Sequence, residues 1–269
     1  MLTTKDLALL AQKGISEKQI DEQLACFEKG FPFLEIIASA SVQKGIRVID
    51  NEAQIKYMEA WDTYLSKNKR ILKFVPASGA ASRMFKDLYE FLSSEANEPQ
   101  NAFIEKFFAS LTSFAFYNAL DAVCLKNEKR TIPQLLSDKE YKAVVDNLLS
   151  EKGLNYGQLP KGLLLFHSYP SGVRTAMEEH LSEGALYAKN NAAEVNIHFT
   201  VSPEHKALFE QLVAAKLPAF ENKFSVRYDI SFSVQKPSTD TLAADSANQP
   251  FRDSNGNLLF RPGGHGALI

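Results

Sequence analysis

Cysteine and histidine are scarce in this chain, with two and five among 269 residues. Cys26 and Cys124 stand alone in helix-like apolar stretches, which argues against a disulfide scaffold and reads as two reduced core thiols. The histidines are scattered without zinc-ligand spacing and without a placeable triad partner, so nucleophilic Ser-His-Asp chemistry is not expected. No run of about 18 apolar residues offers a membrane-spanning helix, and Asp6 interrupts the N-terminus where a signal peptide would be apolar. The expected address is the cytoplasm. A basic excess is missing too: 30 Lys and Arg stand against 32 Asp and Glu, a net charge of −2, which argues against a general nucleic-acid binder. The sequence shows neither internal repeats nor low-complexity segments. What it does have, 45% hydrophobic and 23% charged residues, is enough to bury a substantial core as one large domain with helical additions.

Residues 1–70 read as a helical extension. Ser16-Glu17-Lys18-Gln19 has the capping-box pattern, Ile20, Leu24 and Phe27 recur at helical spacing, and Gly30 and Pro32 end the helix. A second helical stretch carries Tyr57, Trp61, Tyr64 and Leu65, whose aromatic rings are expected in the core. A buried strand over 71–75 leads to a helix over 83–92, with Met84, Leu88 and Leu92 on one face. Residues 93–158 read as a helical insertion, with Phe103, Phe107, Phe108, Leu111, Phe114 and Phe116 packing against the sheet. Alternation then resumes: a strand over 163–166, a helix over 175–189 with acidic residues on its exposed face, and a strand over 195–201. A helix capped by Ser202 with Pro203 at its first position follows, and then a strand over 224–234. This order predicts a mostly parallel sheet flanked by helices, with ligands outside the carboxyl ends of the strands. Residues 236–257 are loop-like, and Asn255-Gly256 signals a hairpin turn.

The chemistry concentrates after the first strand. Ala77, Ser78, Gly79, Ala80, Ala81 and Ser82 form a small-residue turn that lets backbone N–H groups approach a ligand, and the helix behind it adds partial positive charge. Arg83 supplies a fork of donors suited to phosphate oxygens. At the far end, Gly263, Gly264 and Gly266 surround His265, either as a tight turn needing positive φ or as a second ligand loop.

These segments resemble a known group. Val75-Pro76-Ala77-Ser78-Gly79-Ala80-Ala81-Ser82-Arg83-Met84 is similar to the nucleotide-binding signature of sugar-nucleotide pyrophosphorylases, commonly Leu-Ala-Gly-Gly-x-Gly-Thr-Arg-Leu, on the GT-A-like, Rossmann-like nucleotidyltransferase fold. Pro160-Lys161-Gly162-Leu163, Phe199-Thr200-Val201-Ser202, Phe232-Ser233-Val234-Gln235 and residues 253–267 follow in the order that resemblance requires. The closest overall likeness is to the domain-of-unknown-function 4301 family, through the Val-Pro-Ala-Ser-Gly-Ala-Ala, Arg-Thr-Ala-Met-Glu-Glu-His and Arg-Pro-Gly-Gly-His-Gly segments over nearly the whole chain. The resemblance implies an α/β domain over 71–269, continuing beyond Ile269, that joins a nucleoside triphosphate to a sugar phosphate with Mg²⁺. It implies Arg83 and Lys161 as catalytic cations, residues 77–82 around the nucleotide phosphates, and Gln235 with Gly263, Gly264, His265 and Gly266 at the base and sugar. Ser78 and Ala81 replace the family's glycines, which leaves a second expectation open, a catalytically silent nucleotide- or phosphosugar-binding module.

Overall fold

A computed structural model describes residues 2–79, 81 and 84–263. Three helices come first: α1 (Thr4–Lys13), α2 (Glu17–Lys29) and α3 (Asn51–Leu65). Strand β1 (Leu72–Pro76) precedes five helices, α4 (Lys86–Ser93), α5 (Ala102–Ala109), α6 (Tyr117–Glu128), α7 (Ile132–Ser137) and α8 (Tyr141–Leu149). A hairpin, β2 (Leu165–Tyr169) and β3 (Gly172–Thr175), leads into α9 (Ala176–Tyr187), β4 (Glu194–Val201), α10 (Lys206–Phe224) and β5 (Arg227–Val234). Two short strands, β6 (Thr241–Leu242) and β7 (Phe260–Arg261), close the described chain.

The contacts divide the chain into two compact units, Arg70–Val234 and Met1–Lys69 with Gln235–Ile269. The sequence suggested one α/β domain from 71 to 269; in the structure residues from Gln235 onward group with the N-terminal helices. Among the described residues, capping boxes start four helices where the sequence has Thr or Ser followed by Asp, Gln or Glu: Thr3 with Asp6, Ser16 with Gln19, Thr131 with Gln134, and Thr175 with Glu178.

The unit Arg70–Val234 is a mixed α/β assembly around a three-stranded parallel sheet in the order β1-β4-β5, with Pro76 beside Thr200 and Val201 beside Val234. All three strands therefore end at one edge. One face of the sheet, Val75, Val195, Ile197, Phe199, Val201 and Tyr228, is buried with Met177 and Leu181 of α9 and Phe209 and Phe220 of α10. Helix α9 lies close because Gly184 has no side chain; a Cβ there would stand 2.8 Å from Val195 Cγ1 and 2.9 Å from Ile197 Cδ1. The insertion does form helices, but its aromatics do not pack against the sheet: α4 to α8 bury their own apolar cluster, from Phe85 and Leu88 to Leu148 and Leu149, and Phe103 is 45% exposed.

Several expectations are corrected. The strand expected over 163–166 is a 3-10 turn (Lys161–Leu163) followed by β2, which pairs antiparallel with β3 and stays outside the parallel sheet. Leu164 turns fully into the helical cluster, and Gly172, at φ +127°, supplies the hairpin bend that favours β3 as partner. Helix α4 begins at Lys86, leaving Met84 before it and 43% exposed. Glu178, expected on a solvent face, is 3% exposed because it closes the α9 cap and pairs with Lys216 at 3.0 Å. Tyr57, Trp61 and Tyr64 are not core residues; they are 45%, 39% and 42% exposed, and α3 buries none of its residues. Cys124 is buried as expected, whereas Cys26 is only partly so.

In the unit formed by the two ends, Leu10, Ile15, Ile20, Leu242 and Leu258 make a small core. Polar ties supplement it. Arg252 donates to both carboxylate oxygens of buried Asp6 at 2.9 and 2.7 Å, Lys13 pairs with Asp240 at 2.8 Å, and Gln23 accepts from the Leu242 N–H at 2.9 Å.

Candidate functional site

The parallel register of the sheet decides where a site can form in the unit Arg70–Val234. Residues following β1 and β4 leave the sheet at the same edge, and the residues before α9 return to it, because α9 crosses back antiparallel to the strands. Ala77, Ser78 and Gly79 emerge there. The Ala77 N–H donates to the Thr200 carbonyl at 2.7 Å, so this donor extends the sheet ladder and is not open to a phosphate. Among the described residues no backbone acceptor pairs with the Ser78 or Gly79 N–H.

Gly79 is the informative residue. Its backbone is outside the left-handed region, and a Cβ built on it meets no described atom within 4 Å. Neither backbone conformation nor internal contact calls for a glycine here.

The structure brings Lys161 to this loop. Its N–H donates to the Gly79 carbonyl at 3.2 Å, which ties the 3-10 turn to the loop after β1. The Lys161 side chain is exposed and has no ion-pair partner among the described residues. Ala81 has a different role from the one expected. It is fully buried in the cluster of α4 to α8, so its methyl group is core and not bulk on the ligand side. Ala80, Ser82, Arg83, Gly264, His265 and Gly266 lie outside the described residues.

Gln235 and Gly263 are brought together in the other unit. The Gln235 amide donates to the Gly263 carbonyl at 2.8 Å, and Gln235 is buried. One of its amide N–H groups is therefore committed within the protein, leaving one N–H and the carbonyl oxygen to read another group.

Three histidine environments invisible in the sequence remain to be weighed. Ser202 Oγ lies 2.8 Å from His205 Nδ1, and Glu204 lies 3.8 Å from the same nitrogen. A catalytic relay uses both ring nitrogens, so this is a side-chain contact across the 3-10 turn after β4 and not a triad. His198 is held by Ser231 and Ser233, 2.8 Å from each nitrogen, and stacks on Phe74; among the described residues no carboxylate orients it as a base. His180 joins Glu183, which accepts from Lys73 at 2.5 Å. Burial pulls the Lys73 ammonium downward, but hydrogen bonds to Glu183 and Tyr187 more than offset it, leaving the group above its ordinary value. Lys73 is thus a fixed cation rather than a nucleophile. Burial, reinforced by Asp121 and Glu128, pushes the Cys124 thiol up to about 11, which makes it unreactive at neutral pH.

No group of three or more His, Cys, Asp or Glu side chains able to hold a metal ion occurs among the described residues. A hard divalent cation held by one or two carboxylates and substrate phosphates needs no such cage. The described residues therefore provide no preformed metal site.

Over residues 3–269 the chain matches the family described as Domain of unknown function (DUF4301), and it belongs to that family. No curated protein and no solved structure matches it.

Proposed function

We propose that this chain is a nucleotidyltransferase that joins a nucleoside triphosphate to a sugar phosphate, on a GT-A-like plan. The open Gly79 carries the reading: it stands at the carboxyl edge of a parallel sheet, beside Lys161, with no described neighbour that requires a glycine. In this reading the Ser78 and Gly79 N–H groups donate to phosphate oxygens of the triphosphate. Lys161 places its ammonium against the reacting phosphates, where preorganised positive charge stabilises the developing transition state. A sugar-phosphate oxygen attacks the α-phosphorus, forming a new P–O bond. The bond from the α-phosphorus to the bridging oxygen breaks, and pyrophosphate leaves with the electron pair. Arg83, by resemblance, stabilises that leaving group. Mg²⁺ would arrive with the substrate phosphates. The partners are small molecules, and the proposed address is the cytoplasm, in keeping with Cys26 and Cys124 being free thiols.

A second reading, a silent nucleotide- or phosphosugar-binding module, follows from Ser78, which stands where the resembling signature has glycine and adds side-chain bulk beside the Gly79 N–H. Pyrophosphate release from each nucleoside triphosphate mixed with hexose 1-phosphates and Mg²⁺ separates the two readings. Release that disappears in Lys161→Ala and Arg83→Ala supports the transferase. Triphosphate binding without release selects the silent module, and neither binding nor release removes both.

A further inference from the structure

We infer that Gly162 is a positioning residue, whose missing side chain lets the turn carrying Lys161 rest on Phe209 while Lys161 stays bonded to Gly79. What Lys161 then does rests on the proposed transferase reading; its placement does not.

A Cβ on Gly162 would stand 2.8 Å from Phe209 Cε1 and 2.9 Å from Cζ. Contacts that short force something to move. The phenyl ring is poorly placed to yield. Phe209 is fully buried, with its ring centroid 6.5 Å from that of Phe199 and 6.4 Å from that of Phe232, and interiors this dense have little room for a rotamer change. The turn must shift instead. Beyond Lys161 the chain is held at Leu164, whose carbonyl accepts from the Ala176 N–H at 3.3 Å at the start of α9. On the other side stands the hydrogen bond from Lys161 to Gly79, 3.2 Å long; Leu164 is anchored by a fully buried side chain and Lys161 is exposed, so the Lys161 bond is the tie that gives. Gly162 has no positive φ, so alanine meets no backbone penalty and tests the contact alone.

The experiment uses the full chain in four forms: unaltered, Gly162→Ala, Gly162→Ala with Phe209→Leu, and Lys161→Ala. Amide hydrogen exchange at Lys161 is read together with binding of UTP and Mg²⁺. Gly162→Ala is expected to speed Lys161 exchange by roughly tenfold or more while amides of β4 and β5 stay protected. UTP affinity should fall by about tenfold, as a displaced charge requires. Shortening the ring in the double variant should restore both. Unchanged Lys161 exchange in Gly162→Ala, or no recovery in the double variant, overturns the inference. If Gly162→Ala does not fold, the double variant decides in the same way. If the unaltered chain binds no UTP, or Lys161→Ala binds it equally well, the cationic role of Lys161 fails while exchange still decides the role of Gly162.

Discussion

The two compact units are held by different physics. The unit Arg70–Val234 buries two large apolar clusters, one under its sheet and one among α4 to α8. Among the described residues, the unit made from the chain ends has five buried apolar side chains and relies on ion pairs and side-chain amides, led by Asp6 with Arg252. A large core makes a unit sensitive chiefly to volume. A small core with charged ties makes it sensitive to charge state. The contrast is testable one residue at a time.

The largest effect is expected at Phe199, fully buried on the central strand with Phe232 stacked at 5.8 Å. Phe199→Ala should cost about 3–5 kcal/mol, the usual range for a buried phenyl lost to a cavity. Denaturant unfolding followed by circular dichroism checks this. A loss below about 1 kcal/mol would show that the sheet face does not carry the core.

Asp6→Asn is expected to act on the other unit. The Arg252 hydrogen bond dominates in holding the Asp6 carboxyl well below the ordinary range; burial opposes it, and the Thr3 backbone and hydroxyl assist. Amide exchange at Leu242 and Ala243 should speed by roughly tenfold, with β4 and β5 unaffected. Uniform loss of protection across both units would erase the distinction between them. Acid should act in the same way. Because the folded-state value is depressed, the contribution is fully present above the unfolded value near 4, as at neutral pH, and is lost as pH falls through the lower folded value. Exchange in the terminal unit should therefore accelerate below about pH 4, and Asp6→Asn should remove that dependence.

Much of this was legible in the sequence, and the failures share a cause. Strands β1, β4 and β5 followed from apolar runs separated by helical periodicity, and Ser16 and Asn255-Gly256 marked ends through local hydrogen bonding and turn preferences; the helix expected from Pro203 instead begins at Lys206, after a 3-10 turn that Ser202 precedes without a capping hydrogen bond. Those signals live within a few residues. The hairpin β2 to β3, the exposed aromatics of α3 and the buried Glu178 depend on partners distant in sequence. Asp6 read only as an interruption to an apolar start; its partner is 246 residues away. At the candidate site, Lys161 was legible as a cation. The spending of the Ala77 N–H on the sheet was not, nor was the turning of Ala81 into the core.

The smallest expected effect on stability falls at Gly79, and it sharpens the contrast most. Gly162 and Gly79 sit on the two sides of one hydrogen-bonded contact, and the sequence gives no means of telling them apart. Gly162 faces a locked phenyl ring; Gly79 faces open space among the described residues. Gly79→Ala should therefore leave the unfolding free energy within about 0.5 kcal/mol of the unaltered chain, since neither contact nor φ opposes a methyl group. If a triphosphate approaches the Ser78 and Gly79 N–H groups, the same methyl group stands where it must come close, and UTP affinity should drop with no change in stability. Isothermal titration beside a denaturant curve reads both quantities on one preparation. Weakened binding at unchanged stability assigns Gly79 to a ligand. Unchanged binding moves the phosphate site away from this loop, and lowered stability returns Gly79 to the fold.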